Sequence, residues 1–415
     1  FSFSQTQYFY GKILDSSDSV GIPDVHIFFR GRLLGTTTNN LGEFTLKVAG
    51  YNKIDSAIEI SVIGYESISI SLKAWATKSS DSIRIFLNPS SIILNDLIVN
   101  YAQDSVKKIL KKALIRISKN YYNTNTIQEA FFREMLLQDD KCLRLIEAFT
   151  EVHDPGIKRS PFKIKAEIKQ LRRSDDLSNT SLINKTANFL FAKKYNPLIY
   201  LLNWDIVRHY KVPSPNQYAE DFQIFNLDKS NNEFDYFLEE ILTSSAGKIF
   251  KVKFVKNLSS STIQGFVYVK ESDYAILKIE FEECFYEKVE KGLWQGCMLK
   301  GVLEYKATNN KYHLFYASLR KGIMPDFGSA IQGQGGDRLR YFQLLVQNIY
   351  TSKYKIPRES LEIQDRDFSD KKFPYNSAFW ISHQVPLLDR EYLLAIDRIS
   401  SDTPIELQFV RNGAR

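Results

Sequence analysis

Hydrophobic and polar residues alternate in short runs through much of the chain, and a period of two is typical of β-strands. Segments rich in Gly, Asn, Asp and Ser, which favour turns, separate the first seven runs. These runs are Tyr8–Leu14, Val25–Phe29, Gly35–Gly42 with its turn, Glu43–Leu46, Ile58–Ile63, Glu66–Leu72 and Ser82–Leu87. Short strands at this spacing predict a seven-stranded β-sandwich over residues 6–88.

Five short motifs in the sandwich segment carry a family resemblance. They are Gly11–Asp15, Gly21–Val25, Gly35–Asn39, Gly42–Leu46 and Gly64–Tyr65. Together they resemble the carboxypeptidase-regulatory-like domain, a transthyretin-like sandwich. That family is common at the N-termini of outer-membrane and periplasmic proteins of Bacteroidota, including TonB-dependent transporters. The resemblance implies a rigid spacer or docking module without peptidase activity.

Two details qualify and extend this resemblance. The family often has Asp after the threonine run, whereas this chain has Asn39. Asn still closes a tight turn, but it does not favour a cation site there. The segment Leu87–Val99 resembles the stretch that follows the domain in related proteins, and the rest of the chain resembles uncharacterised Bacteroidota proteins.

After a linker, residues 89–120 contain a predicted amphipathic helix. Its apolar residues follow the helical period, and its remaining surface is basic. The apolar set is Val106, Ile109, Leu110, Ala113, Leu114 and Ile117, and the basic set is Lys107, Lys108, Lys111, Lys112, Arg116 and Lys119. One interpretation is a face that meets anionic lipid headgroups or an acidic partner. The other is a docked helix with a solvated lysine face.

Residues 121–360 predict a larger antiparallel β domain. Alternating runs form an orderly meander from Phe234 to Arg320, and polar, proline-containing residues 174–231 predict an insertion covering one end of the sheet. Several strands carry apolar residues on both faces, so both faces must be covered. The pattern resembles the open half-barrel of lipoprotein carriers, which implies a lipid-binding concave face. The alternative is a face packed by covering helices.

Residues 361–415 predict a C-terminal segment with extended and helical parts. Phe379 and Trp380 are adjacent, and a helix is predicted over Asp389–Ile399. Exposed aromatic pairs make good partner anchors. The alternative is that the pair packs beneath a sheet.

Composition narrows the functional classes. The chain has 415 residues, 44% hydrophobic and 25% charged, with a net charge of +7. This is globular composition with a mild attraction to anionic neighbours. No nucleic-acid-binding motif accompanies the basic residues, so no nucleic-acid partner is expected.

The cysteines and the first residues bear on the cellular compartment of the protein. Cys284 and Cys297 lie on predicted neighbouring strands, where an oxidising periplasm would permit a disulfide, and buried reduced thiols are the alternative. Ser2 and Ser4 match a signal-peptidase cleavage pattern, so residues 1–5 have two interpretations: a signal-peptide remnant or a frayed terminus.

Catalytic signatures are weak in this sequence. None of the five histidines pairs with a glutamate or another histidine at recognised metal spacing, and no nucleophile elbow occurs. We therefore expect no catalytic residues, metal or cofactor. The sequence predicts a non-enzymatic periplasmic accessory subunit that docks onto an outer-membrane complex of the barrel-assembly or TonB-dependent transport type. A lipid or lipoprotein carrier and an uncharacterised hydrolase are the alternatives.

Overall fold

The fold comes from a computed structural model, in which contacts divide the chain into two units. The sandwich unit contains residues 1–93, 242–247 and 376–394, and the sheet unit contains residues 94–241, 248–375 and 395–415. The structure describes residues 7–48, 57–76, 83–92, 103–139, 141–160, 163–177, 196–210, 224–225, 227, 234–244, 247–285, 296–323, 338–351, 373–399 and 403–414. The prediction for residues 1–5 lies outside these ranges, as do most residues of the predicted insertion at 174–231.

The sandwich unit contains two small sheets, as the alternation predicts. The strands are β1 (Gln7–Asp15), β2 (His26–Phe29), β3 (Gly35–Thr37), β4 (Glu43–Val48), β5 (Ala57–Ser61), β6 (Ile68–Ser71) and β7 (Ile83–Leu87), with helix α1 (Leu72–Ala76) before β7. One sheet has the order β4-β1-β7 and the other β3-β2-β5-β6. Strand β8 (Ser91–Ile92) pairs with Leu242 and Thr243 of the same unit.

The sandwich core is aromatic and aliphatic. Ile13, Phe44 and Trp75 are at most 1% exposed, and Trp75 contacts the rings of both Phe9 and Phe44. Strand β4 alternates buried and half-buried positions along its whole length, as expected for a strand with one face on a core. The sequence pattern and the packing therefore agree here.

Asn39 closes the turn that precedes β4. Its side-chain oxygen accepts hydrogen bonds from the backbone N–H groups of Leu41 and Glu43, at 3.0 and 2.9 Å. Gly42 has φ +76°, and a Cβ atom there would lie 2.3 Å from the carbonyl oxygen of Ile13. Only glycine fits such a position without strain.

The sheet unit is built on ten antiparallel strands. They are β9 (Thr126–Gln138), β10 (Lys141–Asp154), β11 (Lys165–Arg173), β12 (Asp235–Ser244, whose last residues belong to the sandwich unit), β13 (Gly247–Asn257), β14 (Ser261–Lys270), β15 (Ile276–Phe285), β16 (Gly296–Thr308), β17 (Lys311–Ile323) and β18 (Arg338–Thr351). Their order is β11-β10-β9-β18-β17-β16-β15-β14-β13-β12. The sheet is not closed into a barrel, and β11 is its end strand on one side. The prediction of a mainly β, antiparallel second domain is therefore confirmed.

Helices accompany the sheet. They are α2 (Gln103–Asn120), α3 (Pro197–Leu202), α4 (Ile206–His209) and α7 (Ile405–Ala414). Helix α5 (Ser377–Ser382) belongs to the sandwich unit, and the boundary between the units falls within α6 (Arg390–Ile399). None of the helices that the structure describes combines the length and apolar character required to span a membrane.

Aromatic rings fill one apolar face of the large sheet. A Cβ atom on Gly265 would lie 2.7 Å from the ring of Phe254, and one on Gly301 would lie 2.2 Å from the ring of Phe281. Each ring therefore lies directly over a glycine of the neighbouring strand. Trp204, between α3 and α4, stacks on Phe281 with ring centroids 5.8 Å apart. The chain's own side chains thus pack this part of the face.

Candidate functional site

Helix α2 separates its apolar and basic residues cleanly. Val106, Leu110 and Ile117 are at most 1% exposed. Of the six basic residues predicted to face a partner, Lys107 is half-buried, and the other five are exposed: Lys108, Lys111, Lys112, Arg116 and Lys119. These five residues form what we call the cationic face. Ile115 lies among them with 74% of its surface exposed, so the face also offers one apolar contact.

The C-terminal end of α2 is fixed to the sheet by side-chain hydrogen bonds. Asn120 Nδ2 donates to the carbonyl oxygen of Asp273 at 2.9 Å, and the hydroxyl of Tyr121 donates to that of Ile276 at 2.6 Å. Lys112 Nζ lies 5.0 Å from the centre of the Tyr274 ring and donates to its hydroxyl. A helix held in this way presents its charges in a fixed arrangement, which lowers the entropic cost of binding.

A charged ladder crosses four neighbouring strands of the sheet. Gln343 on β18 pairs with Arg133 on β9, Arg133 pairs with Glu147 on β10, and Glu147 pairs with Arg172 on β11. Arg133 and Glu147 are each 2% exposed. The Glu147 carboxylate accepts from Arg133 Nε at 2.7 Å and from Arg172 Nε at 2.6 Å. Burial alone would raise the pKa of Glu147, but the two guanidinium groups outweigh burial and lower it.

A second buried polar cluster surrounds Arg208 on α4. Its guanidinium contacts the carboxylates of Asp154 at 2.5 Å and Asp205 at 3.4 Å, and it donates to the carbonyl oxygen of Gly156. Tyr305 donates its hydroxyl to Asp205 at 2.7 Å. Beside this cluster is a cavity of about 20 Å³, which is room for roughly one water molecule. Its size suits a structural water rather than an organic substrate.

His313 lines the same cavity in its neutral form. Nδ1 lies 3.0 Å from the carbonyl oxygen of Leu314, and Nε2 lies 3.3 Å from the hydroxyl of Thr308. A carbonyl only accepts, so the proton is on Nδ1, and Nε2 accepts from the hydroxyl. Burial is the main cause that lowers the pKa of His313 to about 4.

The predicted aromatic anchor lies in the sandwich unit. Trp380, on α5, is 2% exposed, so it packs within the fold, while Phe379 is half-buried and stacks on the His383 ring at 3.5 Å. Residues 376–389, which we call the strap, follow the outer edge of β4. Gln384 accepts from the Lys47 N–H at 2.7 Å and donates to the Thr45 carbonyl at 2.6 Å. Its amide thus satisfies backbone groups that an end strand otherwise leaves unpaired.

Two clusters among the described residues each bring together three side chains of the kinds that bind metals. One contains Glu282, Cys284 and Cys297, but the two cysteines form a disulfide between directly paired positions of β15 and β16. Disulfide sulfurs carry no thiolate for a metal. The other cluster contains Glu151, His153 and Glu167, whose ligand atoms lie within 4.8 Å of one another.

The charged ladder, the Arg208 cluster and the Glu151 cluster were not predicted from the sequence. A usable signal exists for the first, because Arg133 and Glu147 interrupt otherwise apolar strand segments. A charge in such a segment indicates a buried partner. The identity of that partner depends on strand order, which one sequence does not reveal.

Comparison with known proteins gives a family for the sandwich only. Residues 9–99 match the model of the CarboxypepD_reg-like domain. No curated protein matches the chain.

Two solved structures show weak likenesses. One, described as lipid-protein interactions in lipovitellin, is 11% identical with a TM-score of 0.21, and the match covers 57% of this chain and 26% of that one. The chain therefore spans about a quarter of the length of that structure. The complex of Pseudomonas aeruginosa MucA and MucB is 7% identical with a TM-score of 0.17, covering 60% of this chain and 99% of the other. Neither score indicates a shared fold, so neither likeness bears on function.

Proposed function

We propose that this chain is a non-enzymatic accessory subunit of the periplasm that docks onto an outer-membrane protein complex. The complex that we propose is a β-barrel assembly machine or a TonB-dependent transporter. The observation that carries the proposal is the cationic face of α2, whose opposite side is buried and whose C-terminal end is anchored. The partner surface is accordingly acidic.

Two further features support a periplasmic location. The N-terminal domain matches the CarboxypepD_reg-like family, and domains of this kind serve as spacers or docking modules in outer-membrane and periplasmic proteins. The disulfide between Cys284 and Cys297 is of a kind that persists in oxidising compartments. Both features favour a position outside the cytoplasm.

The electrostatics set the expected strength of docking. Each cation near an anionic surface contributes about 1 kcal/mol, and screening at physiological salt limits this contribution to about 8 Å. Five cations on one fixed helix face therefore support a salt-sensitive interaction. Ile115 adds apolar area at its centre, as interface cores commonly do.

The packing of the large sheet favours docking over lipid carriage. A carrier requires an apolar cavity of several hundred Å³. On the face that Trp204 covers, the stacked rings of Trp204 and Phe281 occupy the space between helix and strands. Tyr200 similarly covers Phe342, with ring centroids 5.4 Å apart.

Charge reversal on α2 tests the proposal. The full chain would carry Lys108→Glu, Lys111→Glu and Arg116→Glu and serve as bait against gently solubilised outer membranes, with mass spectrometry of the recovered proteins. We expect wild-type bait to recover an outer-membrane protein in stoichiometric amount. We expect the triple variant to lose at least about tenfold of that recovery, because three attractions become repulsions.

The matched control reverses three exposed cations elsewhere on the sheet unit, in Lys248→Glu, Lys300→Glu and Arg320→Glu. This control has the same net charge, so it should retain the partner. Equal loss in both variants would show that net charge, rather than α2, drives recovery. Wild-type bait that returns only with lipid, and sediments with anionic vesicles, would overturn the protein partner in favour of a membrane surface.

A further inference from the structure

Strands β10 and β11 bring a histidine and two glutamates together on one face of the sheet. Glu151 and His153 are two residues apart on β10 and share a face. Glu167 on β11 pairs directly with Glu151. His153 Nε2 lies 3.2 Å from Glu151 Oε1. Two metal ligands about 2.0–2.2 Å from a tetrahedral ion are separated by roughly 3.3–3.5 Å, so this pair is already close to ligand spacing.

His153 is buried without a hydrogen bond. It is 5% exposed, and none of the described residues forms a hydrogen bond with either ring nitrogen. Its Nε2 lies 3.2 Å from a Glu151 carboxylate oxygen without the geometry of a hydrogen bond. A neutral imidazole is the form of histidine that binds metal ions. A buried imidazole with both nitrogens unsatisfied is costly and calls for a ligand.

Lys169 places a positive charge at the centre of this cluster. Its Nζ lies 3.1 Å from Glu151 Oε2 and 3.1 Å from Glu167 Oε1. The register between β10 and β11 skips Lys169, because Phe149 pairs with Gln170 and the next residue, Thr150, pairs with Ile168. Such a bulge redirects a side chain. The Lys169 side chain is 44% exposed, so it can leave the cluster for solvent.

We propose that Glu151, His153 and Glu167 form a binding site for a divalent transition metal of the Zn²⁺ class, and that Lys169 is a built-in competitor for it. One imidazole nitrogen and two carboxylate oxygens suit Zn²⁺ rather than Mg²⁺, which prefers oxygen ligands alone. Glu151 and Glu167 are 18% and 41% exposed, so an ion reaches them from solvent. The bound ion joins the end strand β11 to β10.

Substitution of Lys169 tests the proposed metal site directly. We would titrate the tag-free, chelator-treated full chain with ZnCl₂ by calorimetry, with MgCl₂ as a comparison. Lys169→Gln removes the competing charge, so it should bind Zn²⁺ about tenfold more tightly than wild type. Lys163→Gln is the matched control, because it removes an exposed charge from the same segment outside the cluster, and it should bind as wild type does.

Substitution of the proposed ligands should lower the affinity for Zn²⁺. His153→Gln should weaken Zn²⁺ binding by about tenfold or more, the usual scale for altered metal sites, and should also cancel the gain in the Lys169→Gln background. Glu151→Gln provides the same test if the histidine variant does not fold. The proposal fails if Lys169→Gln and wild type bind Zn²⁺ equally, if the ligand variants keep wild-type affinity, or if Mg²⁺ binds as well as Zn²⁺.

Discussion

The sandwich unit buries apolar and neutral polar side chains, whereas the sheet unit also buries full charges among its strands. No Asp, Glu, Lys or Arg is buried among the described residues of the sandwich unit. The sheet unit buries seven such residues: Arg133, Glu134, Glu147, Asp205, Arg208, Lys278 and Glu304. Sandwich stability is therefore spread over many interchangeable apolar contacts, while the sheet unit depends on particular partners.

This difference bears on what each unit can do. A hydrocarbon core tolerates many substitutions of similar volume and leaves the surface free to vary, which suits a spacer. A buried ion pair adds little net stability over apolar residues, but removing one partner leaves an uncompensated charge. The sheet unit therefore requires particular charged residues at particular positions.

The strongest way to sharpen this contrast is to remove Glu147. Glu147→Ala leaves Arg133 buried without its carboxylate, and we expect the sheet unit to lose about 3–5 kcal/mol of unfolding free energy. Urea unfolding followed by hydrogen exchange of β9 and β10 peptides measures the change. In the sandwich unit, the matched control Glu59→Ala replaces an exposed glutamate on β5 and should change stability by no more than about 0.5 kcal/mol.

A triple variant distinguishes charge burial from packing at the same place. Arg133→Met, Glu147→Leu and Arg172→Met together remove every charge of the ladder, so much of the stability lost in Glu147→Ala should return. If the triple variant is no more stable than Glu147→Ala, lost packing rather than an unpaired guanidinium explains the effect.

The second prediction concerns pH and the buried His313. Its pKa is about 4 in the folded protein and about 6.5 when unfolded, so the unfolded state binds more protons between these values. The contribution of neutral His313 is complete above pH 6.5 and is lost as the pH falls toward 4. The expected loss in the sheet unit is at most about 3 kcal/mol.

Comparison with a variant isolates this contribution, because His153 also has a lowered pKa in this unit. His313→Gln does not titrate. The difference in unfolding free energy between wild type and variant should therefore shrink as pH falls from 7 to 4. A difference that stays constant over that range would show that His313 titrates normally in the folded chain.

The sequence predicted local features better than partners. Alternation predicted a meander from Phe234 to Arg320, and the structure has strands β12 to β17 over this segment. Asn309 and Asn310, between β16 and β17, both have positive φ, which asparagine tolerates in turns. The sequence did not predict which distant strands pair. The contact of Glu147 with Arg172 depends on the order of β10 and β11, and the position of Lys169 depends on a single skipped residue.

The strap illustrates the same limit, and it supplies the smallest predicted effect. Gln384 and its contacts on β4 are more than 330 residues apart in the sequence, so no local sequence pattern predicts the contact. Gln384→Ala removes both hydrogen bonds to β4. We expect the sandwich unit to lose about 1–2 kcal/mol, at the usual scale of about 1 kcal/mol for each hydrogen bond.

The Lys47 amide reports this change directly, because its N–H donates to Gln384. Its hydrogen exchange should accelerate by about tenfold, the factor that corresponds to roughly 1.4 kcal/mol of local opening. Gln7→Ala, at an exposed position of β1 in the same unit, should leave the exchange of Lys47 unchanged. Unchanged exchange in Gln384→Ala as well would mean that the strap does not protect β4. Faster exchange confined to Gln384→Ala would show that even a hydrocarbon-cored unit relies on one specific polar side chain, at the strand edge that its core cannot cover.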